Sequence, residues 1–226
     1  QFTLVNPSQF QVSPDVSIGV SGGLTPFPYV LTDKADQNKA PIFVSGFPIA
    51  FISQSNPLVD QENNITIAFS INNPLLEADN SQITISGILN GRSDSKIRLH
   101  STTHDVDALF SDGQSPGHAH MDLTTFDLTI NIIGDIDAHQ QYTFSFTLVN
   151  PSFNQAPGEI KIQGSGTADL ASTPMSSPNS KLVVIEDGSN PLKVVVPAFE
   201  VTASQSRPII NESNTISVII RSNTNL

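Results

Sequence analysis

The sequence predicts an all-β fold: an immunoglobulin-like or fibronectin-like β-sandwich, present as about one and a half tandem modules. Three observations carry this expectation. Apolar residues alternate with Thr, Ser and Asn at a period of two, turn-forming dipeptides separate those runs, and one part of the sequence recurs in another.

The alternation is clearest in 65–71, where Ile65, Ile67, Phe69 and Ile71 occupy every odd position. Tyr142, Phe144, Phe146 and Leu148 do the same with Thr and Ser between them, and Phe126, Leu128, Ile130 and Ile132 alternate with Asp127, Thr129 and Asn131. Ile83 and Ile85 flank Thr84 in a shorter run. Each run offers one apolar face to a core and one polar face to water, the usual construction of an antiparallel sheet. Asn73-Pro74, Asn90-Gly91, Asp112-Gly113, Asn150-Pro151, Asp187-Gly188 and Asn190-Pro191 supply the turns. With 16 Pro and 13 Gly scattered along the chain, long helices are not expected. Strands are expected near 49–52, 65–71, 83–89, 97–100, 123–133, 142–149 and 160–164. The segment from Asp137 to Tyr142 resembles the tyrosine corner that enters the penultimate strand of such sandwiches.

The recurrence is long. Residues 2–8 read Phe-Thr-Leu-Val-Asn-Pro-Ser, and residues 146–152 repeat all of them. Val16, Ile18 and Ser21-Gly22 then fall opposite Ile160, Ile162 and Ser165-Gly166. A second block matches at a slightly larger offset: Ser53, Gln54, Ser55 and Pro57 align with Ser204, Gln205, Ser206 and Pro208, and Asn63, Ile65 and Ile67 with Asn214, Ile216 and Val218. A period of this length suits a whole domain and exceeds a solenoid repeat. The expected organisation is therefore the terminal strands of a partial module in 1–22, an inter-module linker with a short strand in 23–46, and a complete sandwich in 47–166. A Ser/Pro-rich linker with short strands follows in 167–198, then the first strands of a second partial module in 199–226. Gln1 and Leu226 both fall inside a module. Two expectations follow: the sequence is a window on a longer tandem array, or the last strands of one chain join the first strands of the next. The first is favoured by how poorly half a sandwich satisfies its own backbone.

The ordered set Ser53-Gln54-Ser55-x-Pro57, Asn63-x-Ile65-Thr66-Ile67, Ile83-Thr84-Ile85-Ser86-Gly87 and Tyr142 to Pro151 resembles the repeat modules of large secreted cell-surface or filament proteins of algae and protists, mastigoneme-like material among them. That resemblance implies a structural role, head-to-tail self-association or tandem linkage, a secreted or cell-surface location and glycosylation. The alternative is an adhesin or carbohydrate-binding module on a similar scaffold, although aromatic residues are 7% with no Trp to stack on sugars.

Composition narrows the chemistry. The net charge is -11, from 21 acids against 10 bases, and no basic cluster exists to neutralise phosphates, so neither nucleic acid nor an anionic membrane is an expected partner. No cysteine is present to staple the fold or hold a metal. The 226 residues contain no apolar run long enough for a membrane helix.

Asn64-Ile65-Thr66 and Asn211-Glu212-Ser213 are N-glycosylation sequons, each expected in the turn entering the same strand of its repeat. Thr173, Pro174, Ser176 and Pro178 lie in a loop suited to O-linked or hydroxyproline-linked glycans. The stretch 100–122 gathers imidazole and carboxylate groups. His104, His118, His120 and Asp122 offer a transition-metal set, and Asp105, Asp107 and Asp112 offer oxygen ligands for Ca²⁺ or another divalent ion. The competing expectation is a polar loop over one end of the sandwich. Ser101, Ser111 and Ser115 near His104 match no nucleophile motif, so no enzyme activity is expected.

Overall fold

The computed structural model describes residues 2–20, 27–31, 35 and 39–224. Gln1, the Ser21-Gly22 match, residues 23–26, 32–34 and 36–38 of the expected 23–46 linker, and 225–226 lie outside the described residues. The short strand expected in that linker falls at 27–31.

In chain order the strands are β1 (Ser17–Val20), β2 (Phe27–Leu31), β3 (Ile49–Gln54), β4 (Glu62–Ser70), β5 (Gln82–Ser86) and β6 (Lys96–Arg98). A single helical turn, α1 (Val106–Leu109), precedes β7 (Phe110–Ser111), β8 (His118–Met121), β9 (Leu128–Ile132) and β10 (Gln141–Val149). β11 (Lys161–Ser165), β12 (Leu170–Pro174), β13 (Phe199–Gln205) and β14 (Ile216–Ser222) complete the set. The fold is all-β, and the strand pairs are antiparallel. No helix among the described residues is long and apolar enough to cross a membrane.

Two sheets enclose the core. The smaller runs β10–β4–β3, the larger β12–β11–β5–β9–β8–β6, with β7 beside β9. The period-two residues determine which faces meet. Ile52, Ile65, Ile67, Phe69, Phe144, Phe146 and Leu148 from the first sheet pack against Ile83, Ile85, Leu128, Ile130 and Ile162 from the second, all buried in one cluster. Phe69 stacks on Tyr142 at 5.6 Å between ring centroids and meets Phe144 edge-on at 6.4 Å, both favoured aromatic geometries. The Tyr142 hydroxyl accepts a hydrogen bond from the backbone N–H of Asp137 at 2.9 Å, five residues upstream. Burial raises the Tyr142 hydroxyl pKa.

The elements differ from the sequence reading at three places. The strand expected from 123 begins at Leu128, because Asp122 accepts from the N–H groups of Thr124 and Thr125 and closes a turn there. The stretch 100–122 is more ordered than a loop, since it forms α1 and contributes β7 and β8 to the larger sheet. The sandwich also continues past 166. β12 pairs with β11, Ser176 bridges Phe51, and Val195 bridges Leu58. Leu170, Leu192 and Val194 are buried, so most of the 167–198 segment is packed onto the module.

Outside the module lie two hairpins, β1–β2 and β13–β14, each a sheet of two strands among the described residues.

Candidate functional site

The imidazole and carboxylate groups of 100–122 are dispersed by the local structure. His118 and His120 do share one face of β8, alternating with buried Ala119 and Met121. Their cross-strand neighbours on β6 are Arg98 and Lys96, so the pair faces cations, which disfavours gathering a further one. Asp107 is held by Arg98 through two hydrogen bonds of 2.5 and 3.0 Å. The guanidinium lowers the Asp107 pKa, and Asp107 in turn raises that of Arg98. Gly117, at φ +66°, lies against this pair, and a Cβ there would meet both side chains. Asp105 caps α1 by accepting from the N–H groups of Asp107 and Ala108. Asp112 accepts from the N–H groups of Gln114 and Ser115. Burial alone would raise its pKa, but these donors together with the nearby Lys96 and His118 lower it on balance. Backbone donors from Thr124 and Thr125 lower Asp122 likewise. His104 lies between the Thr103 hydroxyl and Gln140, with its ring 4.7 Å from that of Tyr142. Among the described residues, no three of these groups converge as a metal site would require. Ser101 donates to the carbonyl of Thr143 at 2.6 Å, so its hydroxyl is tied to β10.

Asn64 lies within β4, where a turn is expected from the sequence, opposite Thr147 of β10 and exposed on the outer face. Asn211 is exposed in the β13–β14 connection at φ +62°. Thr173 and Pro174 belong to edge strand β12, while Ser176 donates to the carbonyl of Ala50 and Pro178 is exposed.

The most organised polar constellation escapes a reading of the sequence, although its residues lie inside the repeat. Asn63, fully buried, donates to Gln54 Oε1 at 3.0 Å and to Asn150 Oδ1 at 2.8 Å. Its own side-chain carbonyl oxygen accepts from the N–H groups of Ser55 and Asn56, both at 3.1 Å. Asn150, also fully buried, donates to the carbonyls of Asn56 and Leu58, both at 2.8 Å. Gln54 donates to the carbonyls of Gly188 and Lys193 and accepts from the N–H of Leu192. Three side-chain amides therefore fasten β10 and the 188–193 segment to the β3–β4 turn, with their polar groups matched in the dry interior. The signal available in the sequence is the recurrence of Gln54, Asn63 and Asn150 as Gln205, Asn214 and Asn6.

The recurrence extends to geometry. In β3–β4, Gln54 faces Ile65 and Ile52 faces Ile67; in β13–β14, Gln205 faces Ile216 and Ala203 faces Val218. Asn214 donates to Gln205 Oε1 at 3.0 Å and accepts from Ser206 and Arg207 N–H at 3.1 and 3.0 Å, as Asn63 does in the module. β1–β2 repeats β11–β12, with a register shift between Ile18 and Val20 where the latter has one between Ile162 and Gly164. Gln11 exchanges backbone bonds with Val44, as Gln155 does with Val194.

The joints at either end of the module are also alike. Asn72 accepts from Gly46 N–H at 2.8 Å and donates to the Val44 carbonyl at 2.9 Å. Asn223 accepts from Ala198 N–H at 2.7 Å and donates to the Val196 carbonyl at 2.9 Å. Each asparagine thus clasps the segment that leads into its own β-hairpin, using one acceptor and one donor.

One difference separates the two hairpins. β4 starts at Glu62, and its first three residues pair with β10 alone: Glu62 with Val149, Asn63 with Leu148 and Asn64 with Thr147. β14 starts at Ile216, and 213–215 are not in a strand. Ile216 is 60% exposed where Ile65 is 1% exposed. Val218, Ile220 and Val201 are exposed as well.

A shallow groove of about 420 Å³ lies elsewhere on the module, lined by Asn90, Arg92, Leu123, Phe126, Ser152 and Phe153. Ser152 and Arg92 both hold the Asp60 carboxylate and lower its pKa. No protein-family model matches this chain, and no curated protein matches it significantly.

Proposed function

We propose that this chain is a structural, non-enzymatic segment of a linear extracellular array: a glycosylated filament or cell-surface fibre in which sandwich modules follow one another head to tail. The observation that carries the reading is the repetition of whole joints. Hairpin register, the amide cluster around Asn63 and Asn214, and the clasps made by Asn72 and Asn223 occur once in the module and again in the hairpin that follows it. A joint that recurs in the same form fixes the rotation between successive units, and repeated heterologous contacts of that kind extend without closing. The dispersal of the His and Asp side chains of 100–122 into caps, turns and an ion pair accords with a structural role for that end of the module. Exposed Asn64 and Asn211 are where N-glycans would attach, and the exposed end of β12 with Pro178 is where O-linked or hydroxyproline-linked chains would.

Negative-stain electron microscopy over a range of protein concentrations tests the reading. Rows of beads that lengthen with concentration are expected. Compact single particles at every concentration would contradict it.

A further inference from the structure

We propose that the free edge of β14 accepts residues 2–8 of a second copy of this chain as its third strand. The pairing is antiparallel, with Phe2 opposite Ile216, Thr3 opposite Thr215 and Leu4 opposite Asn214. The inference rests on the linear-array reading and names the contact that joins its units.

The register is copied from the module. Residues 146–152 are identical to 2–8, and β10 pairs with β4 so that Phe146 faces Ile65, Thr147 faces Asn64 and Leu148 faces Asn63. Ile216, Thr215 and Asn214 stand at the matching places of the second hairpin. Among the described residues, neither half has a partner for this ladder. Phe2, 83% exposed, Leu4 and Val5 stand in solvent, and no backbone hydrogen bond holds residues 2–10 among the described residues. β14 has β13 as its strand neighbour there, on one edge. In the module the same side chains are covered: Phe146 is 0% exposed and Leu148 is buried.

Asn6 supplies the polar half of the match. It corresponds to Asn150, whose amide accepts from Asn63 and donates to the carbonyls of Asn56 and Leu58. Asn214 already holds Gln205, Ser206 and Arg207 in the arrangement of Asn63, and is exposed where Asn63 is buried. Asn6 would donate to the carbonyls of Arg207 and Ile209. The incoming strand would also draw 213–215 into the ladder, making β14 as long as β4. Beyond residue 8 the donor continues into β1–β2, the counterpart of β11–β12. Exposed Ile18 stands there where Ile162 is buried in the core. The same donor thereby brings a cover for the inner face of β13–β14. Three strands against two bury less than the two sheets of the module, so the contact is reversible and depends on concentration.

The absence of cysteine allows a direct test. Thr147 and Asn64 are opposed on the outer face of the sheet, so cysteines at 3 and 215 would be opposed across the new ladder. Thr3→Cys chains are mixed with Thr215→Cys chains under mild oxidation, and the disulfide is mapped by mass spectrometry. A second mixture pairs Thr3→Cys with Ser217→Cys, two residues out of register. Inter-chain linkage between 3 and 215, with its loss in the shifted mixture, is the expected result. Equal or absent linkage in both mixtures, while rows of particles still grow, overturns strand donation and leaves the array reading standing. Absent linkage with compact monomers at every concentration overturns both. A chain carrying both Thr3→Cys and Thr215→Cys that links only within its own monomer overturns the second copy as the occupant.

Discussion

Asn63 holds Gln54 and Asn150 in the dry interior, whereas Asn214 makes the same bond to Gln205 in solvent. The energetic roles of the two should therefore diverge. Asn150→Ala strips the buried Asn63 of one of its two acceptors and the carbonyls of Asn56 and Leu58 of their donor. Unpaired buried polar groups are costly, so denaturant unfolding should register a loss of about 1–3 kcal/mol. In the unassembled chain, Asn214→Ala should change stability by less than about 0.5 kcal/mol, as surface substitutions do. At this scale the sequence was only partly informative. Core positions such as Ile67, Phe144 and Leu148 could be read from alternation, because burial on one face leaves a period of two. The amide cluster could not, since Asn and Gln in a chain rich in both look like turn residues until their partners, up to 139 residues away, are brought together. The metal sets expected from His104, His118, His120 and the neighbouring Asp residues were a reading of proximity in sequence. Short Asp side chains there bond to the backbone a few residues on, which draws them into local turns.

At the scale of elements, β4 and β14 are one strand in two environments. β4 has a partner on each edge and the second sheet over its inner face; β14 has β13 on one edge among the described residues. Ile67→Ala would open a cavity among Ile52, Phe69 and Phe144 and should cost about 2–5 kcal/mol by denaturant titration. Val218→Ala, its counterpart, should cost less than about 0.5 kcal/mol in the unassembled chain. Equal losses would mean that β13–β14 is buried in the isolated chain. The long strands were legible because an alternation sustained over seven or more residues matches the period of a half-buried strand and no helical period. β7 and β8 were not, as they are two and four residues long. They exist through pairing with β9 and β6, which a local pattern does not encode.

At the scale of the whole molecule, the two facing sheets of the module are flanked by two-stranded hairpins, β1–β2 and β13–β14, among the described residues. Phe2, Leu4, Ile18, Val201, Ile216, Val218 and Ile220 together leave a large apolar surface in solvent, and such surfaces mark association sites. The sequence disclosed this arrangement through the repeat alone: identical residues in 2–8 and 146–152 imply equal partners, and the structure displays those partners for one copy. Which polypeptide meets the other copy is a question about neighbours, beyond the reach of composition or periodicity. Hydrogen exchange read by mass spectrometry, from dilute to concentrated protein, tests the central claim most directly. Amides in 2–6 and in 213–220 should gain protection together as concentration rises, while those of β4 and β10 stay protected throughout. Fast exchange in both segments at every concentration, with β4 and β10 protected, would contradict it.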